Sequence, residues 1–433
     1  MYDLIVIGAG PGGMDTAVAA TKKYEKILLI EKDQIGGTCL NRGCIPTKSI
    51  AQSARILHDI RRASIFGIEC DKFFPSLERI IERKNQVVNE LRNNTSTLLK
   101  QIEFIKGEAK ISTHGTVVVD GEEYNTRRIL IATGSQPAML NIPGREFALT
   151  SDQLLENKHL PEDMIIIGGG VIGLEFASIF NTLGVQVTVV EYCKEILPTF
   201  DRDIAKRLRM ALTKKGIKFI TDARVTEIID KTTVEFEKKD KCETVEAEMI
   251  IMAVGRKPVF PDGLESIGVE FSHKGIQTDD NQETNVKGVY AIGDVTGKCM
   301  LAHFATAQGK RMLGENINLE VVPSVVFCEP ECSMVGLTEE QCHERGIQYT
   351  IKKGFFRANG KAVCMDETEG MVKMIIGLND MKVLGVHIYG PHAADLIAEP
   401  AIAISQGLTV SEIAETIHAH PTLNEIISQI ANG

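Results

Sequence analysis

An internal duplication constrains the fold of this chain more than any other feature of its sequence. A strand pattern, a glycine-rich turn, a helix pattern and a second strand pattern occur near residue 1 and again near residue 160. The turns are residues 8–13 (GAGPGG) and 168–173 (GGGVIG), and Glu31 and Glu191 each lie 23 positions after the first glycine of their turn. Equal spacing in both copies predicts two α/β units, each with a Rossmann-like parallel sheet and a dinucleotide site.

The residue types in each copy suit dinucleotide binding. The first glycine makes a tight turn, the second lets the backbone approach a pyrophosphate, and the third lets helix and strand pack closely. The acid that ends the second strand hydrogen-bonds ribose hydroxyls and repels a 2′-phosphate, so Glu191 favours NAD over NADP at the second site. One such turn alone would equally fit a surface loop before a solvated glutamate, but two copies at equal offset disfavour that interpretation.

Composition narrows the class of protein. The length of 433 residues favours two to four domains, and 43% hydrophobic with 24% charged residues is typical of globular proteins. A net charge of -10 without a dense Lys/Arg stripe argues against nucleic acid or an anionic membrane as partner, and no apolar run reaches membrane-spanning length. A strand pattern starts directly after the first methionine, so we expect no signal peptide and a cytoplasmic location. The ten cysteines should then be mostly reduced, and any disulfide among them catalytic or regulatory.

The chain divides into three predicted units. Apolar strands near residues 129 and 250 close the two copies, and residues 289–294 (VYAIGD) look like a return to the first unit, followed by a helix over 302–313. From about residue 321 the pattern changes to strands, with a hairpin turning at 379–380, and then to helices. The expected boundaries are 1–137 with 259–320 for the first unit (including an excursion over 35–100), 138–258 for the second and 321–433 for the third.

The excursion contains one long helix pattern, and its apolar residues recur on one face that we expect to pack in the core. These residues are Leu77, Ile80, Ile81, Val87, Val88, Leu91, Leu98 and Leu99.

Residues 36–48 (GGTCLNRGCIPTK) hold a pair of cysteines five positions apart. In a regular helix their Cα atoms would be about 7.5 Å apart, beyond the roughly 7 Å that a disulfide can bridge, so a disulfide here requires a distorted turn. Gly36, Gly37 and Gly43 permit such a turn. Cys44 would lie near the N-terminus of the next helix, where the helix dipole favours thiolate. Two buried reduced cysteines, or half of a metal site, remain alternatives.

Residues 418–425 (HAHPTLNE) provide a second chemical motif. Thiol exchange needs a group that takes and returns a proton near neutral pH, and a histidine oriented by a carboxylate supplies one. Thr422 to Glu425 also fits a capping box that would start the last helix. The two roles are compatible, because a fixed backbone would help to aim His420.

Together with residues 133–137 and 290–294, these motifs resemble the class I pyridine-nucleotide disulfide oxidoreductases of the glutathione reductase and dihydrolipoamide dehydrogenase type over essentially the whole chain. The resemblance implies FAD at the first turn, a nicotinamide cofactor at the second and a dimerisation domain at the C-terminus. Implied FAD contacts are Gly8, Gly10, Gly13, Glu31, Thr38, Lys48, Ala109, Gly134, Asp294 and Ala302. Implied NAD contacts are Gly168, Gly170, Gly173, Glu175, Glu191, Val225 and Gly255. No metal site is expected.

The resemblance also implies the roles of the reactive side chains. Cys39 and Cys44 form the redox disulfide, with Cys44 facing the flavin and Cys39 exchanging with substrate. Lys48 lies near the reactive edge of the flavin and pairs with Glu175. His420 and Glu425 form the acid–base dyad, His418 fills a neighbouring non-catalytic position, and His420 serves the partner subunit of an expected homodimer.

Smaller features favour the dihydrolipoamide dehydrogenase branch. Glu191 disfavours the NADP-dependent glutathione enzymes, the last four residues lack a cysteine pair, and residues 300–303 and 418–423 are most similar to that branch. The implied partner is a lipoyl-bearing protein of a 2-oxo acid dehydrogenase or glycine-cleavage system. The alternatives are an NADH-dependent reductase of another disulfide and a docking subunit of such a complex.

Several residues depart from the family pattern or stand outside it. Arg42 lies where a small apolar residue is usual, and it either raises the acidity of the cysteine pair or faces solvent. Met14 and Asp15 replace an aromatic and a small residue. Cys328 and Cys332 are expected to be structural, because no companion metal ligands lie near them in the sequence.

Overall fold

Each of the two predicted dinucleotide-binding units is built around a parallel sheet, and we call these units the first half and the second half of the molecule. A computed structural model describes residues 1–100 and 102–433. The strands of the first sheet, in spatial order, are Val289–Ala291, Ile129–Ile131, Leu4–Ile7, Ile27–Glu31 and Glu103–Lys106, all parallel. The strands of the second sheet are Lys218–Ile220, Gln186–Val190, Asp163–Ile167 and Met249–Met252, also all parallel. The predicted α/β class is therefore confirmed, and the strand at 289–291 joins the first sheet.

Each parallel sheet carries a small antiparallel one, and a two-stranded ribbon connects the two halves. The small sheets are Ala109–Thr113, Thr116–Val119 and Glu122–Asn125 in the first half, and Arg224–Ile228, Thr233–Lys238 and Lys241–Glu246 in the second. The connecting ribbon pairs Ser135–Pro137 with Arg256–Pro258. A further ribbon pairs Phe271–Ser272 with Gly275–Ile276.

The strands predicted after residue 321 form a third sheet, and it is antiparallel. Its strands, in spatial order, are Ser324–Val326, Glu331–Gly336, Val383–Gly390, Met371–Gly377 and Tyr349–Phe355. The hairpin at residues 379–380 joins two neighbouring strands of this sheet, so that prediction is also confirmed. Apolar side chains of the sheet form a core with the C-terminal helices.

The helices lie between and around the sheets. The α-helices are Pro11–Ala20, Gly37–Arg42, Cys44–Arg61, Leu77–Leu98, Ser151–Leu154, Val171–Leu183, Arg202–Lys214, Ala302–Met312, Glu339–Glu344, Gly360–Cys364, Ala393–Leu396, Ala398–Gln406, Val410–Ala414 and Glu425–Asn432. Short 3-10 helices cover Ala63–Phe66, Arg145–Phe147, Glu265–Ile267, Gly293–Thr296 and Phe356–Ala358. We call Cys44–Arg61 the redox helix, because it begins at the second cysteine of the pair.

The long helix Leu77–Leu98 departs from its predicted packing. Its first half buries apolar residues as expected, but Leu91 is 37% exposed and Leu98 58% exposed. The expectation that the whole apolar face packs in the core was therefore wrong for Leu91 and Leu98, although Val88 and Leu99 are buried. The second half of the long helix is held by a polar contact to the helix Gly37–Arg42 instead. Arg92 donates two hydrogen bonds to the side-chain oxygen of Asn41, at 2.7 and 3.0 Å.

A buried ion cluster attaches the third sheet to the second half. The Lys373 side chain is 1% exposed, and its ammonium lies 2.7 Å from the Asp201 carboxylate and also pairs with Glu339. Asp201 caps the helix Arg202–Lys214 by accepting from the Asp203 backbone N–H. Because an unpaired buried charge is costly, each partner depends on the others to remain in the interior.

Removing the buried lysine should therefore destabilise the protein. Lys373→Met leaves the Asp201 carboxylate buried without its counter-ion, and we expect a loss of about 3–5 kcal/mol of unfolding free energy, measured by urea denaturation. Lys353→Met is the matched control, because Lys353 pairs with Asp203 at 2.6 Å in a partly exposed position and should lose only about 0–1 kcal/mol. Equal losses of unfolding free energy in the two variants would contradict the role of Lys373 as the counter-ion of the buried Asp201 carboxylate.

Candidate active site

One large cleft collects most of the residues that the sequence singled out. It has a volume of about 2130 Å³ and lies where strands of the two parallel sheets reach their carboxyl ends. The predicted site residues that line it are Gly8, Gly10, Gly13, Glu31, Thr38, Cys39, Cys44, Lys48, Gly134, Gly168, Gly170, Glu175, Glu191, Val225, Gly255, Asp294 and Ala302. Four predicted residues do not line it: Ala109, Gly173, His420 and Glu425.

The outer glycines of the two turns occupy equivalent crowded positions. Gly8 and Gly168 have φ of 107° and 110°, and a Cβ on either would come within 2.5 Å of a backbone carbonyl oxygen. A Cβ on Gly13 or Gly173 would lie 2.0 Å from the carbonyl oxygen of the first glycine of its own turn. Gly173 therefore serves helix–strand packing, and its distance from the cleft is consistent with that role.

The middle glycines leave open space instead. A Cβ on Gly10 or Gly170 would meet nothing within 4 Å, and each residue is the N-cap of a following helix that has no side-chain cap. The first N–H groups of these helices are thus left for an anion, and their dipoles favour negative charge. Both turns fit a dinucleotide pyrophosphate.

Glu31 and Glu191 hold the two turns in the same way. Glu31 accepts from the backbone N–H of Ala9 at 2.7 Å, and Glu191 accepts from the backbone N–H of Gly169 at 2.5 Å. The second oxygen of each carboxylate accepts from the N–H group two residues further on. Each acid therefore fixes its glycine turn and presents its charge to the cleft, which suits ribose hydroxyls and opposes a 2′-phosphate.

Ala109 is the other predicted nucleotide residue outside the cleft. Its side chain packs in the core of the first half, and its backbone belongs to a small antiparallel sheet. The neighbouring Glu108 lines the cleft in its place. The FAD contact that the resemblance implied for Ala109 stays a prediction.

The cysteine pair lies on two helices that meet at a break. The helix Gly37–Arg42 ends before Gly43, whose φ of -141° and ψ of -113° are not helical, and the redox helix starts at Cys44. A Cβ on Gly43 would lie 2.9 Å from the Thr38 carbonyl oxygen, so a glycine is needed at the break. The distorted turn that a disulfide requires is therefore present.

The two thiols of this pair differ in acidity. The hydrogen bond from Cys39 lowers the pKa of Cys44 to about 7, with help from Lys48 and against the effects of desolvation and of the Glu175 charge. The same interaction with Cys44, together with burial, raises the pKa of Cys39. As the pH rises, Cys44 therefore loses its proton before Cys39 does.

Lys48 is held by two groups from distant parts of the chain. Its ammonium lies 2.8 and 2.9 Å from the two oxygens of the buried Glu175 carboxylate, as the resemblance implied. It also lies 4.4 Å from the centre of the Phe327 ring. Sequence reasoning missed Phe327, which lies in an apolar run of the third sheet with no motif around it.

Asp294 belongs to a second set of contacts that the sequence did not reveal. It accepts a 2.5 Å hydrogen bond from the Ser135 hydroxyl, and Arg256 donates to that hydroxyl at 2.8 Å. Burial raises the pKa of Asp294. The ribbon between the two halves therefore connects the second half to an acid in the predicted FAD site.

His420 and Glu425 form a pair away from this cleft. Nδ1 of His420 lies 2.9 Å from the Glu425 carboxylate, and the imidazole is 79% exposed. The hydrogen bond from His420 lowers the pKa of Glu425. Only half of the predicted capping box forms: Glu425 accepts from the Thr422 N–H, but the Thr422 hydroxyl donates to the Ala419 carbonyl. The Glu425 carboxylate thus orients the histidine and fixes the turn before it.

His418 is enclosed rather than exposed. Its Nδ1 contacts the Thr416 carbonyl and its Nε2 the Glu399 carboxylate, each at 2.9 Å. Burial opposes the charged form, but these two contacts outweigh it and raise the pKa of His418. This arrangement fits a structural role.

Arg42 lies at the rim of the cleft with 41% of its side chain exposed, which agrees with the solvent-facing interpretation. It pairs with Asp33 and lies 3.9 Å from Asp152, so its charge is neutralised at the rim of the cleft. The contact with Asp152 was not foreseen, because Asp152 is more than a hundred residues away in the chain.

The cysteines outside the redox pair lie in unlike surroundings. Cys328 and Cys332 are buried in the hydrophobic core, and burial raises the pKa of Cys328 well above its usual range. Cys299 lines the cleft, and burial raises its pKa as well. Within residues 1–100 and 102–433 no cluster of three or more metal-ligating side chains occurs. In the same residues, no helix combines the length and apolar character that crossing a membrane would need.

Comparisons with known proteins agree with this geometry. Residues 2–309 match the model of the pyridine nucleotide-disulphide oxidoreductases, and residues 322–431 match the dimerisation domain of the same family. The chain is 37% identical over 462 residues to a dihydrolipoyl dehydrogenase of Bacillus subtilis (strain 168), covering 99% of this chain and 97% of the relative. It is 39% identical over 450 residues to a dihydrolipoyl dehydrogenase of Chlamydia muridarum, covering 99% and 96%. Among solved structures, the HOCl-induced flavoprotein disulfide reductase RclA from Escherichia coli matches with a TM-score of 0.88 and 29% identity, covering 100% of this chain and 99% of that one.

The acidity of Cys44 can be measured by alkylation of the reduced protein. Trypsin cleaves after Arg42, so Cys39 and Cys44 fall on separate peptides and their iodoacetamide labelling can be followed separately by mass spectrometry. We expect Cys44 labelling to rise with pH around a midpoint of about 7, because the reactive thiolate predominates above its pKa.

Lys48→Met should move this midpoint upward by about one unit, since it removes the nearby positive charge. Lys48→Arg is the control that keeps the charge and should move the midpoint less. A midpoint that stays at the wild-type pH in Lys48→Met would contradict a role for Lys48 in stabilising the thiolate.

Proposed function

This chain belongs to the pyridine nucleotide-disulphide oxidoreductase family, and we propose that it oxidises protein-bound dihydrolipoyl groups to lipoyl groups with reduction of NAD⁺. This is the reaction of a dihydrolipoyl dehydrogenase. The observation that carries the proposal is full-length likeness to dihydrolipoyl dehydrogenases, combined with a dithiol that lines the same cleft as both nucleotide turns.

The cysteine pair would carry out a thiol–disulfide exchange. One substrate thiolate attacks the Cys39 sulfur of the Cys39–Cys44 disulfide, the S–S bond breaks, and Cys44 leaves as a thiolate. The second substrate thiol attacks the mixed disulfide, which closes the lipoyl ring and releases Cys39 as a thiol. The lowered pKa of Cys44 supports this assignment, because the sulfur with the lower pKa leaves faster.

The cleft fits the two cofactors that the exchange requires. When bound, FAD would accept the two electrons and pass them as a hydride to NAD⁺. The turn at 8–13, with Glu31 and Asp294, would hold FAD, and the turn at 168–173, with Glu191, would hold NAD. The substrate gives up two electrons and two protons in total, so one proton is released to solvent for each NADH formed.

His420 would take the proton of the attacking substrate thiol, with Glu425 holding its Nδ1 side. His420 does not line the cleft that contains the cysteine pair of its own chain, and it lies within the segment that matches a dimerisation domain. We infer a homodimer in which His420 of each subunit completes the site of the other. The imidazole is then exposed because it faces the partner.

The finer assignments rest on the same reasoning. The unit boundaries at 1–137 with 259–320, 138–258 and 321–433, and the cytoplasmic location, stay predictions. The proposed partner is a lipoyl-bearing protein of a 2-oxo acid dehydrogenase or glycine-cleavage system. The likeness to RclA supports one alternative, an NADH-dependent reductase of a different disulfide. A purely docking role explains neither the cysteine pair nor its acidic thiol.

An anaerobic titration of the FAD-loaded protein tests the reaction. Dihydrolipoamide followed by NAD⁺ should yield NADH, measured by its absorbance, because the dithiol accepts two electrons from the substrate. Cys44→Ser should yield none and Cys242→Ser, which changes an exposed cysteine outside the cleft, should behave as wild type. If NADH reduces the flavin but dihydrolipoamide yields no NADH, the family assignment stands and the lipoyl substrate is wrong.

Subunit mixing tests the placement of the histidine. Cys44→Ser and His420→Ala homodimers should each lose nearly all turnover with dihydrolipoamide. Hybrid dimers isolated after co-expression should recover about half of the wild-type activity, because one of their two sites then has an intact cysteine pair and an intact histidine. Inactive hybrids would place His420 at the cleft of its own chain and contradict the shared site.

A further inference from the structure

Phe327 contacts both members of the charge pair beside the cysteines. It follows the strand Ser324–Val326 of the third sheet and lines the cleft. Its backbone N–H donates to the Glu175 carboxylate at 3.1 Å, and its ring centre lies 4.4 Å from the Lys48 ammonium. The residue directly after a strand of the third sheet thus contacts an acid from the second half and a lysine from the redox helix.

Each contact restricts a different part of the pair. The Glu175 carboxylate binds the ammonium with both oxygens, and the Phe327 N–H limits rotation of that carboxylate. The aromatic face attracts the ammonium from another direction. A lysine side chain has four flexible carbons, so a carboxylate alone leaves its ammonium free to shift toward water.

The position of the Lys48 ammonium matters because the groups that face Cys44 have opposite effects on the stability of its thiolate. Cys39 and Lys48 favour the Cys44 thiolate, and Glu175 opposes it. Since Lys48 and Glu175 form one ion pair, a small displacement of the ammonium lets the effect of the carboxylate dominate.

We propose that Phe327 is a positioning residue for the redox pair, holding Lys48 where its charge stabilises the Cys44 thiolate. The proposal deepens the proposed function, because it rests on Cys44 as the thiolate that leaves the exchange, but it does not depend on the lipoyl group as substrate. It also gives the third sheet a role within its own subunit, separate from the contribution of His420 to the partner.

Alkylation of Cys44 in the reduced, FAD-loaded protein tests the proposal without any disulfide substrate. Phe327→Leu keeps the backbone N–H and an apolar side chain but removes the aromatic face. The midpoint of Cys44 labelling should rise by about half a pH unit, which corresponds to a roughly threefold slower labelling at pH 6. Phe327→Met is the second variant if the leucine protein does not fold.

Two matched variants separate positioning from general destabilisation. Phe327→Tyr restores an aromatic face and should keep the wild-type midpoint. Phe355→Leu removes another ring of the third sheet, one that faces Arg357 at 4.7 Å, and should also leave the midpoint unchanged. An unchanged midpoint in the Phe327→Leu and Phe327→Met proteins, or an equal shift in Phe327→Tyr or Phe355→Leu, would overturn the proposal. If the expected pattern holds but dihydrolipoamide is not oxidised, the proposed reaction fails and the positioning role stands.

Discussion

The buried carboxylate of Glu175 is the contact on which the arrangement of the site depends. It lies on the helix that follows the second glycine turn, yet its partners are the ammonium of Lys48 on the redox helix and the N–H of Phe327 at the third sheet. A carboxylate that is 4% exposed must be paired, because desolvation of an unpaired charge would cost several kcal/mol. The need to satisfy one charge therefore brings together the cysteines, the second half and the third sheet.

Buried charges recur at the other junctions of the molecule. Lys373 joins the third sheet to the helix Arg202–Lys214 through Asp201, and Lys84 of the long helix donates to the Leu155 carbonyl and pairs with Glu156. Hydrophobic contact alone permits many relative orientations of two packed surfaces, whereas a buried ion pair tolerates few. These pairs help to set the geometry between units that also share one large cluster of apolar residues.

The different chemical roles of the two cysteines and of the His420–Glu425 pair follow from this geometry. The two sulfurs differ in acidity because one receives the hydrogen bond and the nearby lysine charge, and the other gives up the hydrogen bond. The histidine–carboxylate pair lies outside the cleft of its own chain, so the exchange chemistry and the proton transfer come from different parts of the dimer that we infer. Both nucleotide turns line the cleft that contains the dithiol, which suits passage of an electron pair from the dithiol to one cofactor and from that cofactor to the other.

The sequence by itself determined the features that depend on neighbouring residues. The glycines at 8, 10 and 13, their counterparts at 168, 170 and 173, the two acids and the break at Gly43 were all predictable, because each belongs to a short motif whose spacing is recognisable in the sequence. The carbonyl groups that crowd Gly8 and Gly168 come from Ala132 and Ala253, which the motif alone does not reveal. Only the tertiary structure decided which side chains meet across the chain. Phe327 beside Lys48, Ser135 beside both Asp294 and Arg256, and Asp152 near Arg42 join segments more than a hundred residues apart, and no local periodicity encodes such contacts. The exposure of Leu91 and Leu98 has the same cause, since a helical pattern identifies an apolar face but does not determine how far along the helix another element covers it.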